Sequence, residues 1–137
     1  MKKQAEILCE LRKNARIKLT ELAAMLGLSI SALHYQVKQI AMYVKRWSCL
    51  LNPEKLGYPV CSFFVIEDVE VTDNLLNSPY LNSILQTSNE LIAEFWFNNV
   101  RQLNRFEEYL HKMNVRFSRF IVVEELKRES FIPDNVD

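Results

Sequence analysis

The chain contains few of the residues that interrupt regular secondary structure. Its 137 residues include two glycines and four prolines, which argues against a loop-rich or disordered chain. No run of eighteen apolar residues occurs in it, so no membrane span is expected. The segment MKKQAEILCELRK carries charges where a secretory signal needs an apolar stretch. We therefore expect a cytoplasmic protein that does not contact a membrane.

Residues that bind metals are also scarce. The three cysteines lie far apart at positions 9, 49 and 61 with no CxxC motif, and the two histidines, His34 and His111, are widely separated. Zinc sites in proteins combine closely spaced Cys and His ligands. We therefore expect three small thiols, no metal and no cofactor.

Charge is distributed unevenly along the chain although its formal net value is zero. Residues 1–51 contain nine Lys or Arg and three Glu, a balance of +6, and the remaining residues carry −6. A basic segment attracts polyanions, because each Lys or Arg near a phosphate releases condensed counterions. The split favours two units with different partners, although chance segregation would produce the same pattern.

The first forty residues have the apolar spacing of three helices. They are expected at about 3–13, at Leu19–Leu26 and from Ile30 to Ile40. Gly27 suits the left-handed end of the second helix, and Ser29 suits the N-cap of the third. Two helices joined by a short turn with Gly match the helix-turn-helix, whose second helix enters the major groove. A polar helical hairpin within a larger core is the alternative.

Polar side chains on the outward face of the third helix predict contact with DNA, because Ser, His and Tyr can bond base edges or phosphates. The following segment MYVKRWSCLL predicts a short basic hairpin, the wing, which would bring two cations to phosphates. The alternative is that these cations only solvate a hairpin end. The predicted DNA-binding residues are Lys18, Thr20, Ser29, Ser31, Ala32, His34, Tyr35, Gln36, Lys38, Lys45 and Arg46.

The rest of the chain predicts a βαββαβ order. An apolar strand at 58–69 precedes a short helix at 71–79 and a hairpin centred on Ser88-Asn89. An amphipathic helix at Val100–Met113, with Val100 on its inward face, and a strand at 115–126 follow. This order is that of the α+β ferredoxin-like fold.

The predicted strands are apolar on both sides, which has a consequence for assembly. Two helices cover one face of a ferredoxin-like sheet, so the other face would expose a large apolar patch that a monomer seldom tolerates. Packing against a second copy would bury it, which predicts a homodimer through Phe63, Val65, Phe95 and Phe97. A two-fold dimer also matches two DNA half-sites one helical turn apart.

Four short segments, NAR, ELA, LGLS and NPEKLGY, occur in the order and at nearly the spacing typical of one family. Through them the chain resembles the Lrp/AsnC (leucine-responsive regulator/asparagine regulator) transcription factors. The resemblance implies a winged helix-turn-helix DNA-binding domain at 1–51, a linker at 52–59 and a ferredoxin-like, RAM-like dimerisation and effector domain at 60–137. It also implies binding of pseudo-palindromic, double-stranded promoter DNA by a dimer, tetramer or octamer.

The chain departs from the family pattern at three places. Gln36 stands where the family usually has Arg, and no Gly follows Ile40 in the link to the wing. The Gly-x-Tyr-Asp-like turn of members that bind amino acids corresponds here to the candidate effector-binding residues Thr87, Ser88, Asn89 and Glu90. Because glycine allows a backbone to approach a ligand closely, a small-molecule effector is in doubt. We expect no amino-acid effector, or an unusual one.

Two other functions are alternatives to DNA-binding regulation. Haem-biosynthesis decarboxylases share the architecture and need His and Arg near a tetrapyrrole, but His34 and His111 lie in no such motif. No Ser-His-Asp set or phosphate-binding loop can be recognised, so we expect no enzyme. The second alternative is an assembly protein that does not bind DNA, which Gln36 and the zero net charge favour.

Overall fold

The computed structural model describes residues 2–128. Its contacts divide the chain into two units, residues 2–50 with 127 and 128 in the first and residues 51–126 in the second. Each unit has a hydrophobic core of its own. The three-part domain division stays a prediction, and the part of it beyond residue 128 lies outside the described residues. No helix in residues 2–128 is long and apolar enough to cross a membrane.

The first unit contains three helices at nearly the predicted positions. They are α1 (Lys2–Lys13), α2 (Leu19–Leu26) and α3 (Ile30–Ile40). Apolar side chains three or four residues apart form one stripe on each helix, and these stripes meet in the core. The buried core residues are Ile7, Leu11, Leu22, Ala23, Leu33 and Ile40.

The turn between α2 and α3 has the predicted chemistry. Gly27 adopts a left-handed conformation with φ 65° and ψ 36°. Ser29 then caps α3, since its Oγ accepts a hydrogen bond from the backbone N–H of Ala32 at 3.1 Å. Both predictions about this turn are confirmed.

The segment after α3 does not form the predicted hairpin. A 3-10 turn at Ala41–Tyr43 follows α3, and residues 44–59 contain no strand. The segment has no Asn-Gly or Asp-Gly pair that would close a tight hairpin turn, and an isolated two-stranded hairpin is at best marginally stable. Lys45 and Arg46 are exposed on an irregular chain instead.

The second unit has the predicted βαββαβ order and the sheet order β2-β3-β1-β4, with every pair antiparallel. This confirms the ferredoxin-like arrangement. Its elements are β1 (Val60–Ile66), α4 (Thr72–Leu76), β2 (Leu81–Gln86), β3 (Leu91–Phe97), α5 (Val100–Lys112) and β4 (Phe117–Ile121).

The end of the last strand and the orientation of Val100 differ from the sequence predictions. Strand β4 ends at Ile121, well before residue 126, because its neighbour β1 begins at Val60. The last register pair is Ser62 with Ile121, and just beyond it the Val122 N–H donates to the Cys61 carbonyl at 3.0 Å. Helix α5 is capped by Asn99, whose Oδ1 accepts from the Gln102 N–H at 3.0 Å. Val100, predicted to face inward, is 55% exposed, because it occupies the first position of the helix, before α5 reaches the core.

The sheet has one face covered by helices and one face that is open within a single chain. Phe95 and Phe97 have no exposed surface and pack on the covered face against Phe106, at ring-centroid distances of 4.5 and 5.7 Å. Their predicted role in dimerisation is therefore wrong. Because β3 has apolar residues on both sides, its sequence does not show which side chains face the helices. In β1, side chains alternate between the two faces, so Phe63 and Val65 lie on the open face.

Candidate nucleic-acid interface

Helix α3 presents a polar stripe on the side opposite its buried residues. Leu33 and Ile40 have no exposed surface, whereas Tyr35 is 62% exposed. Ser31 and Lys38 are also exposed and lie four residues before and three residues after Tyr35, which makes them its neighbours on the helix surface. We call Ser31, Tyr35 and Lys38 the α3 stripe.

Other predicted contact residues flank this stripe or lie near the helix starts. His34 and Ala32 are exposed on its two sides. Lys18 precedes α2 without making a side-chain cap, and Thr20 is exposed in the first turn of α2. Ser29 is exposed, and its hydroxyl oxygen is already occupied by the cap of α3. The first unit therefore offers hydroxyl, imidazole, phenol and ammonium groups to a polyanion.

The two glutamines near the end of α3, Gln36 and Gln39, differ in exposure, which the sequence did not predict. Gln36 is half-buried, and its Oε1 is buried with no hydrogen-bond partner among residues 2–128. Its oxygen is therefore not presented on the α3 stripe, and an unsatisfied buried polar group costs about 1–3 kcal/mol. Gln39 is exposed four residues after Tyr35. That spacing was visible in the sequence and adds Gln39 to the outward face.

Positive charge on the first unit is largely unpaired. The nine Lys and Arg residues within residues 2–50 are all exposed. Lys3 pairs with Glu6 at 3.0 Å, and Lys13 pairs with Glu10 at 2.7 Å. The hydrogen bond and negative charge of Glu10 raise the pKa of the Lys13 ammonium. The other seven cations within residues 2–50 form no ion pair in the described part of the chain, so they remain available to phosphates.

The open face of the sheet is apolar, as the dimer prediction requires. Phe63 and Val65 of β1 are half-buried there beside Trp96 of β3. Leu85 of β2 and Phe120 of β4 extend this surface and are 66% and 57% exposed. The structure thus places the predicted contacts Phe63 and Val65 on one continuous surface. We call this surface the open sheet face.

Glu94 lies on the open sheet face, although it is almost fully buried at 3% exposure. Its carboxylate accepts hydrogen bonds from Asn82 Nδ2 at 2.9 Å, Trp96 Nε1 at 3.0 Å and Ser83 Oγ at 3.2 Å, with Cys61 Sγ at 3.7 Å. These donors make a buried carboxylate compatible with an apolar surface. Sequence reasoning missed this cluster, because it depends on cross-strand register.

The candidate effector turn is closed by its own hydrogen bonds. The Thr87 N–H donates to the Glu90 carbonyl at 2.9 Å, and the Glu90 N–H donates to Thr87 Oγ1 at 3.1 Å. Ser88 Oγ bonds Asn89 Oδ1 at 3.3 Å. Two backbone donors of the turn are therefore already occupied. Within residues 2–128 no group of His, Cys, Asp or Glu side chains is placed to hold a metal ion.

Comparison with known proteins agrees with this arrangement. Residues 2–39 match a family described as winged helix-turn-helix DNA-binding. The chain is 27% identical over 105 residues to the HTH-type transcriptional regulator FL11 of Pyrococcus furiosus, covering 70% of each chain. The similarity to this regulator extends over more of the chain than the first unit contains.

Solved structures share the fold over nearly the whole chain. A transcriptional regulator from Neisseria meningitidis, solved with L-Met, superposes with a TM-score of 0.84 at 21% identity, covering 98% of this chain and 97% of that one. A Pyrococcus furiosus transcriptional regulatory protein described as a member of the ASNC family gives 0.81 at 22%, covering 93% and 92%. The match over residues 2–39 and the similarity to HTH-type regulators support a DNA-binding transcriptional regulator, and the solved structures show that the chain shares the fold of an ASNC-family protein.

Proposed function

We propose that the protein binds pseudo-palindromic promoter DNA as a two-fold dimer, with α3 of each copy in a major groove. The α3 stripe carries this proposal, because it is exposed, has no ion pair within residues 2–128 and follows a capped helix-turn-helix turn, and because residues 1–51 carry a charge of +6. A regulator of chromosomal DNA in a prokaryote acts in the cytoplasm, which is the location that we propose.

Each part of the interface has a proposed role. Tyr35 and Ser31 lie where hydroxyl groups reach base edges or phosphates, and His34 flanks them. Lys38 lies a turn further on and reaches the phosphate backbone. Lys45 and Arg46 supply further phosphate contacts from the irregular segment after α3, without the expected hairpin. Since these contacts release counterions, affinity should fall steeply with salt.

The open sheet face supports the dimer. Phe63, Val65 and Phe120 would lose their water-exposed apolar area against the same face of a second copy, which is the isologous contact of a two-fold dimer. Recognition helices related by that axis would meet half-sites about one helical turn, roughly 34–36 Å, apart. Assembly of dimers into a tetramer or octamer is compatible with this arrangement.

A small-molecule effector at the turn of residues 87–90 is not part of the proposal. The Neisseria meningitidis protein was solved with L-Met, but here this turn lacks glycine and two of its backbone N–H groups are occupied. We propose that this turn does not capture a free amino acid. The regulators among the relatives support a role without catalysis.

One observation favours a second candidate function, an assembly protein that does not bind DNA. Gln36 replaces a cation with a neutral side chain whose oxygen is buried. Such a protein would assemble through the open sheet face and leave the α3 stripe unused. The same DNA-binding experiment therefore separates the two functions.

The test is a gel shift with genomic promoter fragments enriched by the purified protein. A Tyr35→Ala/Lys38→Ala variant should bind at least about tenfold more weakly, since it loses one charged and one neutral contact. Lys112→Ala is the matched control, because it removes the same charge from the second unit and should bind almost as the parent does. Unchanged binding by the double variant, or no shift with the parent protein, would refute the proposal.

A further inference from the structure

A cleft of about 350 Å³ opens on the helix side of the second unit. The end of α4 and the chain leading to β2 form one wall, with Asn77, Ser78 and Tyr80. Helix α5 forms the other wall, with Arg105 and Tyr109. Its volume falls within the range of small-molecule sites, which is roughly 300–1,000 Å³.

Arg105 is the one charged side chain among the residues that line this cleft, and Glu108 lies three residues after it on α5. Arg105 is exposed and makes no ion pair or hydrogen bond within residues 2–128. No Asp or Glu lines the cleft. On the same helix, Glu107 is already paired with Arg119 at 2.8 Å. A planar guanidinium without a partner fits a carboxylate or phosphate with two parallel hydrogen bonds.

The walls also present aromatic surface. Tyr109 is 42% exposed and lies 6.3 Å from Phe106 between ring centroids. Tyr80 on the opposite wall packs on Phe97 at 5.3 Å. Neither tyrosine hydroxyl forms a hydrogen bond within the described part of the chain. The cleft therefore combines ring faces and two phenol donors with the cation, a set that suits a flat molecule with an acidic group.

The α4 wall adds two polar side chains, each with a hydrogen-bonding group still free. Asn77 Nδ2 donates to the Asp73 carbonyl at 3.1 Å, which leaves its Oδ1 as an acceptor. Ser78 Oγ accepts from the Tyr80 N–H at 3.4 Å, which leaves its hydroxyl hydrogen free to donate. A ligand carrying a ring substituent that can donate or accept a hydrogen bond would thus be held at both ends.

We propose that this cleft binds a small aromatic carboxylate, with its carboxylate on Arg105 and its ring against Tyr109 and Phe106. One cation balances the single charge of a carboxylate, whereas a phosphate monoester carries about −1.5 to −2 near pH 7 and would leave charge unmatched. The site lies wholly within the second unit and uses no residue of the DNA-binding interface. The proposal therefore stands independently of DNA binding.

The test uses the whole protein and benzoate as the probe. Benzoate should bind saturably at one site in calorimetric titration, with amide shifts in two-dimensional NMR confined to α4, α5 and residues 77–80. Neutral benzamide of the same shape should bind at least about tenfold more weakly, because it loses the charge-assisted pair. The Arg105→Gln variant should bind benzoate more weakly than the parent protein by the same factor. Arg101→Gln, an exposed arginine of α5 outside the cleft, should not.

Four outcomes would overturn the proposal. They are the absence of saturable benzoate binding, equal binding of benzoate and benzamide, equal losses in the two arginine variants, and tighter binding of phenyl phosphate than of benzoate. The last would assign the cleft to a phosphate ester. Far-UV circular dichroism of both variants checks that an exposed helical substitution has left the fold intact.

Discussion

At the scale of single residues, two positions between α2 and α3 fix the helix-turn-helix. Gly27 and Ser29 could be predicted because their roles are local, one set by backbone conformation and the other by a hydroxyl near a free N–H. The sequence could not predict that Gln36 Oε1 lacks a hydrogen-bond partner among the described residues, or that the buried Glu94 carboxylate has several. Both depend on which distant side chains the fold brings near them.

Substitution of Gly27 by Ala should destabilise the first unit by about 1 kcal/mol, because a Cβ disfavours the left-handed conformation. A Cβ at Gly27 would meet nothing within 4 Å, so the expected cost is purely conformational. Gly27→Asn is the control and should cost less, since Asn tolerates this conformation. Urea unfolding followed by circular dichroism measures the difference. Equal stability of the parent and Gly27→Ala would contradict the assignment.

At the scale of elements, periodicity predicted the helices and their order, but pairing could not be read from the sequence. The predicted hairpin after α3 does not form, because the segment has no residue pair that closes a tight turn. Strand β4 is shorter than predicted because its neighbour β1 begins only at Val60. Strand β3 was identified, yet its inward set was mistaken. Apolar residues on both sides of a strand leave the choice of face to the helices that cover it.

The assignment of sheet faces can be tested with two phenylalanines on neighbouring strands. Phe64 has no exposed surface and lies 5.2 Å from Phe106 between ring centroids, so Phe64→Ala should lower the free energy of unfolding of the second unit by about 3–5 kcal/mol. Phe120→Ala is the control, since its ring is 57% exposed on the other face within one chain. It should chiefly weaken self-association. Similar losses of unfolding free energy at low protein concentration would contradict the assignment.

At the scale of the whole molecule, the charge split corresponds closely to the division into units at Leu50 and Leu51. Composition was sufficient to suggest two units, and apolar strands were sufficient to suggest a partner for the sheet. The candidate DNA interface was predicted in outline, because an outward helix face follows from spacing. The cleft between α4 and α5 was not predicted, because its walls come from segments about 25 residues apart in the sequence.

Dimerisation through the open sheet face should persist without the first unit. A chain lacking residues 1–50 should sediment as a dimer, because the apolar surface around Phe63, Val65 and Phe120 belongs to the second unit alone. Analytical ultracentrifugation over a range of concentrations measures the association. Introducing Phe120→Asp in the same chain should shift it to monomer by placing an unpaired charge in the contact. A monomer before that substitution would refute sheet-to-sheet packing.

The central claim, that α3 of two related copies reads DNA, is tested most directly by selecting binding sites from random duplex DNA with the intact protein. The account predicts an inverted repeat with half-site centres about 10 base pairs, or a multiple of that, apart. It also predicts that the Tyr35→Ala/Lys38→Ala variant fails to enrich this repeat. Enrichment of no sequence, of a single site without two-fold symmetry, or of the same repeat by the double variant would contradict it.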